Sequence, residues 1–195
     1  MRNIAVKNAN GVTVYPIEAL LGERRFVGIN GEITAESAME FVQEILYLNL
    51  EGPEPIKVLI NSPGGEITNG MLMYDVIQSS RAPIHLYCTG TAYSMAAVLL
   101  ACGKKGNRFM LEHSRAMLHE PLVPYGVGGK SSSVYTISES LLKTKREMEE
   151  ILAKHTGHTP EEIDENTKTD HFFTAQEAVD FGLADAVRDF DALLD

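Results

Sequence analysis

The chain has no tryptophan, only two cysteines among 195 residues, and a deficit of positive charge. Each scarcity closes off a class of protein. Cys88 and Cys102 each lie inside an apolar run, so they read as buried thiols in a reducing compartment rather than as a disulfide framework. The longest apolar run, Met95 to Cys102, is far too short to span a bilayer. Seventeen Lys and Arg against 27 Asp and Glu leave a net charge of −10, which argues against a nucleic-acid or anionic-membrane surface. The N-terminal residues lack the apolar core of a signal peptide. A cytoplasmic protein is expected, with no nucleic-acid or membrane partner. A hydrophobic content of 44% in a chain of this length suffices for a buried core. No solenoid-length repeat or composition break divides it, so one domain spanning 1–195 is expected.

Strand-like and helix-like segments alternate. Asn10-Gly11 is a hairpin turn signal between two weakly alternating arms, with little core to pack on. Pro16 to Leu21 reads as a short helix closed by Gly22, and Arg25 to Ile29 as a strand. Thr34 to Leu50 is helical by period, with Met39, Val42, Ile45, Leu46 and Leu50 on the expected core face. Ile56 to Ile60 predicts a strand running through Asn61-Ser62-Pro63-Gly64-Gly65 into a helix from Glu66 to Ser80. Ile84 to Cys88, Asn107 to Leu111, and Ala116 to His119 predict further strands. A Gly/Ser-rich stretch, Pro121 to Ser133, precedes a long helix from Val134 to Thr156. Such a helix reaches beyond its own core, most simply to another subunit. Thr159-Pro160 and Thr174-Ala175-Gln176-Glu177 are helix starts, the second a capping box stopped by Gly182. The alternation implies an α/β domain with a largely parallel, right-handed crossover sheet.

The segment Thr89-Gly90-Thr91-Ala92-Tyr93-Ser94 runs from a strand into the helix Met95 to Cys102. A serine at that junction has its hydroxyl at the positive end of the helix dipole, beside amides that lack intrahelical partners. Those amides can stabilise an oxyanion if Ser94 attacks a carbonyl; equally, Ser94 can simply cap the helix. The turn at Gly64-Gly65 offers a second source of convergent N–H groups, or is only a tight turn. Of six histidines, His119 ends a strand near the same sheet edge and suits a general base, though a structural role is open. His155 and His158 flank a helix end as surface residues; His113 and His171 fall in turns and His85 inside a strand. Two look-alikes fail. His119-Glu120 starts like the zinc motif H-E-x-x-H, but Pro121 breaks the helix and Val123 stands where the second histidine belongs. Gly129-Lys130-Ser131 ends like a phosphate-binding loop, but Pro124 replaces its first glycine.

Taken together, Asn61 to Gly65, Ala92 to Ala96, Ser114 to Leu122 and Thr169 to Ala178 resemble four motifs of the Clp protease proteolytic subunit family, in family order. The resemblance covers about Val14 to Asp185. It implies a crotonase-like superhelix of β-β-α units with an N-terminal hairpin (1–18), a head (19–122 and 157–195) and a protruding handle helix (123–156). It implies a serine endopeptidase with Ser94 as nucleophile, His119 as base and Asp170 orienting the imidazole. The backbone amides of Gly65 and Met95 would form the oxyanion hole. No metal or cofactor is implied. Heptameric rings stacked into a tetradecamer are, with unfolded polypeptides as substrate and a separate AAA+ unfoldase of the ClpX, ClpA or ClpC type. The hairpin would line the axial pore.

Several positions depart from that pattern. Thr169 stands where the family carries an arginine before the aspartate, and the facing stretch Gly128 to Ser133 has a short insertion and no carboxylate. Weaker or differently controlled ring stacking is expected. At the family's unfoldase-docking pocket, Lys57, Ser79, Thr89 and Arg188 accompany Leu59, Tyr87, Phe109 and Leu111. That more polar set predicts poor docking by this chain alone, relieved by a second, more typical subunit. Tyr93 replaces a small residue and is expected to narrow the substrate groove. Two alternatives remain: a weakly active structural subunit of mixed rings, and a crotonase-type acyl-CoA enzyme, which would need no serine nucleophile.

Overall fold

The computed structural model describes residues 3–8, 11–123 and 126–194. Strands β1 (Asn3–Asn8) and β2 (Gly11–Pro16) form an antiparallel hairpin. Val12 and Val14 are exposed, as expected of a hairpin without a core of its own. Asn10 of the expected turn lies outside the described residues. Helix α1 (Ile17–Glu23) includes Gly22 rather than stopping at it. The chain turns instead at Arg25, in the left-handed region with φ 62°.

The rest is built on a seven-stranded sheet. Strands β3 (Phe26–Asn30), β4 (Ile56–Ser62), β5 (Ile84–Tyr93) and β6 (Arg108–Leu111) run parallel. Between them lie α2 (Ala35–Glu51), α3 (Ile67–Ser79) and α4 (Met95–Ala101). Strand β7 (Arg115–Leu118) pairs parallel with the end of β5. Then come α5 (Ser131–Thr156), α6 (Pro160–Thr167), β8 (His171–Thr174), α7 (Ala175–Phe181), β9 (Ala186–Arg188) and a 3-10 turn, Phe190–Leu193. Strand β8 pairs antiparallel with β7, and β9 parallel with β6. The expected α/β class with a largely parallel sheet is the observed one. His171 opens β8 rather than sitting in a turn.

Side-chain alternation gives the sheet one core face. Val27, Ile29, Val58, Ile60, Leu86, Cys88 and Met110 are buried in the same cluster as residues of α2, α3 and α4. The period of α2 misleads about which face joins it. Ala38, Phe41, Ile45 and Leu48 are buried, whereas Met39, Leu46 and Leu50 are 49%, 59% and 79% exposed. Two apolar stripes run along this helix, and only packing against the sheet chooses between them. Its start is as the sequence implies: Thr34 accepts from the Ser37 amide and Ser37 returns the bond to Thr34.

Strand β5 forks. Its first half pairs with β6 and its last three residues with β7, so the sheet opens at Thr89-Gly90. On its other side β5 slips in register against β4 between Ile60 and Ser62, where Asn61 accepts from the Thr91 amide at 3.1 Å and a Cβ on Gly90 would collide with the Asn61 side chain. The fork carries Ser94 away from the main sheet plane toward β7.

Arg108 is a buried charge that residue type alone would not place inside. It is 2% exposed and makes a forked contact with Asp185, Nε to Oδ2 at 3.0 Å and Nη2 to Oδ1 at 2.6 Å. Nη1 donates to the carbonyls of Ala101, His155 and Gly182. One guanidinium thus satisfies carbonyls at the C-terminal ends of α4, α5 and α7, where the helix dipoles favour a cation.

Candidate active site

Ser94 does not cap α4. It has φ 54° and ψ −124°, and no side-chain capping bond is made. A serine held at positive φ without the compensation of a cap is strained, and such strain persists only where the surroundings impose it. Here they do. The Ser94 amide donates to the Met117 carbonyl at 2.8 Å, tying the turn to β7. The Met95 side chain is 2% exposed and packs against Gly70 of α3.

The glycine turn lies directly against this serine. A Cβ at Gly64, where φ is 92°, would stand 2.6 Å from the Tyr93 carbonyl oxygen, 2.8 Å from Ser94 Cβ and 3.0 Å from Met95 N. Only glycine permits that approach. The turn is pinned by buried Ser62, whose Oγ accepts from the Gly64 amide at 3.1 Å. It is pinned again by Ile33, which donates to Gly64 O at 2.8 Å and accepts from the Glu66 amide at 2.9 Å. Those bonds skip the amide of Gly65. Neither that amide nor that of Met95 has a backbone acceptor among the described residues. Two N–H donors, one from each strand-to-helix turn, are therefore left over on either side of the Gly64–Ser94 contact.

Ser94, His119 and Gly65 line one open cleft of about 560 Å3. Ile67, Thr68, Pro121 and Leu122 form part of its wall, and α5 supplies Ile137, Ser140, Leu141 and Thr144. Asp170 is exposed and does not line the cleft. It is nevertheless close to His119 in register. The β7–β8 ladder pairs Leu118 with His171, and one further antiparallel step sets His119 opposite Asp170. Among the described residues no hydrogen bond joins Ser94 to His119, or His119 to Asp170. Ser94 and His119 share the cleft, and Asp170 follows the β7–β8 register beside it, with no hydrogen bond among the three side chains.

The cleft wall from α5 was not legible in advance. Ile137 and Leu141 recur at helical spacing on a helix expected to reach another subunit; in the fold both line the cleft. Tyr93, expected at the groove, is not among the residues lining this cleft. It packs edge-on against Phe172 of β8, with ring centroids 5.7 Å apart. His155 and His158 are not simple surface residues. His155 Nε2 lies 3.0 Å from the Tyr74 hydroxyl, and burial pushes its pKa down, helped by Lys154 and Arg108. His158 stacks on Phe181 at 4.3 Å, with Nε2 3.1 Å from the Phe181 carbonyl oxygen. Both cysteines are free and buried, and burial pushes Cys88 up to about 11 and Cys102 to about 12, so neither is a poised nucleophile. No cluster of three or more His, Cys, Asp or Glu side chains able to hold a metal occurs among the described residues. No helix among them is long and apolar enough to cross a membrane.

A parallel α/β sheet that offers a strained strand-to-helix serine beside free main-chain amides defines an architecture suited to attack on a carbonyl. The particular family follows from the chain as a whole. Residues 9–190 match the family model described as Clp protease, and the chain belongs to that family.

Proposed function

We propose that the chain is a Clp-type serine endopeptidase, with Ser94 as nucleophile, His119 as general base and Asp170 as the carboxylate that orients it. The observation that carries this reading is Ser94 itself: held at positive φ, making no cap, and sharing a cleft with His119. Ser94 Oγ attacks the substrate carbonyl carbon as His119 takes the hydroxyl proton. The carbonyl oxygen becomes an oxyanion held by the Gly65 and Met95 amides. Collapse expels the amine, which receives the proton from His119. Water then cleaves the acyl-enzyme by the same steps in reverse order. Asp170 fixes the imidazole tautomer and stabilises the imidazolium. Losing one oxyanion donor from such a site costs about 10²–10³ in rate.

The unlinked side chains favour a corollary: this subunit needs assembly to align its triad. Stacked heptameric rings, alone or mixed with a second subunit of the family, would supply the contacts that draw Asp170 and His119 together. Substrates would be unfolded polypeptides delivered by an AAA+ unfoldase. The expected docking surface carries cations against its rings, Lys57 5.3 Å from the Phe26 centroid and Arg188 5.5 Å from that of Phe109, which supports weak docking by this chain alone. Reduced, buried cysteines fit a cytoplasmic setting.

The test is fluorophosphonate labelling of the purified protein, with sedimentation of the same sample. Labelling that is confined to assembled species and abolished in Ser94→Ala supports the reading. Labelling that survives Ser94→Ala overturns it.

A further inference from the structure

Lys145 lies in α5 beside Thr144, where the helix passes from the cleft wall to its buried anchor at Met148 and Leu152. Its Nζ is 2.8 Å from Glu120 Oε2 and 2.6 Å from Asp164 Oδ1. Glu149 Oε1 stands 3.8 Å away, within ion-pair range but beyond hydrogen-bond reach. One ammonium therefore faces carboxylates from three directions: the loop after β7, helix α6, and its own helix one turn on. Two of these matter for the site. Glu120 directly follows His119, and its amide donates to the Thr167 carbonyl at 2.9 Å, at the end of α6. Thr167 is buried, with its hydroxyl donating to Ile163 O at 2.9 Å. From Thr167 the chain runs through Lys168 and Thr169 to Asp170. The histidine loop and the aspartate segment are thus tied together at Glu120, and Lys145 ties both to the handle.

We propose that Lys145 is a positioning residue for the peptidase reaction: by binding Glu120 and Asp164 together, it fixes the His119 loop against α6 and relays the position of the handle helix to the triad. This rests on the assignment of Ser94 and His119 made above. The Lys145 contacts are the directional ones nearest the cleft wall and the His119 loop. The outer half of α5 has no buried residue of its own, so the wall formed by Ile137, Ser140 and Leu141 is only as firm as the anchor below it. Met148 and Leu152 hold the helix to the head through apolar packing, which is non-directional, and the bonds to His155 from Arg108 and Tyr74 fix only its C-terminal end. The Lys145 contacts are directional and charge-assisted, so they set the rotation and height of the helix relative to the His119 loop. Lys145 is held well above the usual lysine range by its hydrogen bonds to Asp164 and Glu120, so it stays charged throughout the working range. The carboxyl of Glu149 is raised, by burial first and then by Asp164, and Arg146 and Lys168 complete the charges around the cluster.

The test compares Lys145→Met with Lys145→Arg in the full-length assembled protein. A short fluorogenic peptide reports kcat and KM, and hydrogen exchange reports the Glu120 amide. Misplacing a catalytic group slightly costs up to ~10²-fold, so Lys145→Met should lower kcat ~10–100-fold with KM nearly unchanged. Exchange at Glu120 should quicken, and Lys145→Arg should restore both. A kcat equal to wild type in Lys145→Met overturns the proposal. So does a loss of activity that merely tracks loss of sedimenting assembly. If Ser94→Ala proves active, the site assignment fails instead; the Glu120 exchange still decides whether the clamp exists.

Discussion

Helices α4 and α5 behave as opposites. All seven residues of α4, Met95–Ala101, are buried, whereas among the 26 residues of α5 only Met148 and Leu152 are. Both contribute to one cleft. Ser94 and its neighbouring amides sit on the helix that packing fixes on every side. The opposing wall, Ile137 to Thr144, sits on the helix that packing fixes at one end. Chemistry that needs sub-ångström placement thus depends on one rigid and one adjustable element. On the proposed assignment, this contrast accounts for Ser94, His119 and Asp170 making no hydrogen bond to one another, and it makes the handle the place where assembly would act on turnover.

The comparison breaks most severely if the buried half is not held as described. Arg108→Met leaves Asp185 and three helix-end carbonyls without their partner, and removing one member of a buried ion pair costs about 3–5 kcal/mol. Urea unfolding of the two proteins measures it. A loss under ~1 kcal/mol would mean that the ends of α4, α5 and α7 are secured by packing alone.

A smaller effect is expected from acid. Burial first, then Lys154 and Arg108, hold His155 below the ordinary histidine value of 6.5. As the pH falls below that value the unfolded chain takes a proton that folded His155 refuses. Its contribution is therefore complete above the unfolded pKa and is lost as the pH drops toward the folded one. The thermal midpoint should fall by a few degrees between neutral pH and mild acid, and His155→Gln should flatten the fall. His85, lowered by burial and Lys57, adds to the same trend and remains in the variant. Equal slopes in the two proteins would remove His155 from the account.

The smallest effect on stability belongs to the adjustable half. Leu142 is 53% exposed, so Leu142→Ser should change unfolding free energy by no more than about 0.5 kcal/mol. It should nevertheless shift sedimentation toward smaller species if the outer handle meets a second subunit. Unaltered sedimentation would detach assembly from this part of α5.

Much of this was legible from residue order. Strands, helices and their caps follow from local chemistry: the capping box at Thr174 forms as expected and the helix start at Thr159 is closed by a second one, with Glu177 and Glu162 returning bonds to the cap amides. The candidate nucleophile and its glycine turn were visible because both occur at strand-to-helix junctions. Periodicity misled where it had two solutions, as in α2, and a signal went unread where residue type and strand phase disagree. Arg108 is the instructive case. It alternates with Phe109 and shares the phase of buried Met110, a signal that its charge is enclosed. The charge cluster from Lys143 to Glu150 was visible, but not the choice of Lys145 as the residue that reaches Glu120.

The sequence by itself determined the element types, the parallel α/β class, and which residues could do chemistry, because those depend on contacts within a few residues. Only the tertiary structure decided that Ser94 is strained rather than capping, that Gly64 abuts it, and that α5 walls the cleft. Those facts depend on the fork in β5 and on pairings between segments far apart in the chain. Local propensity carries no information about either.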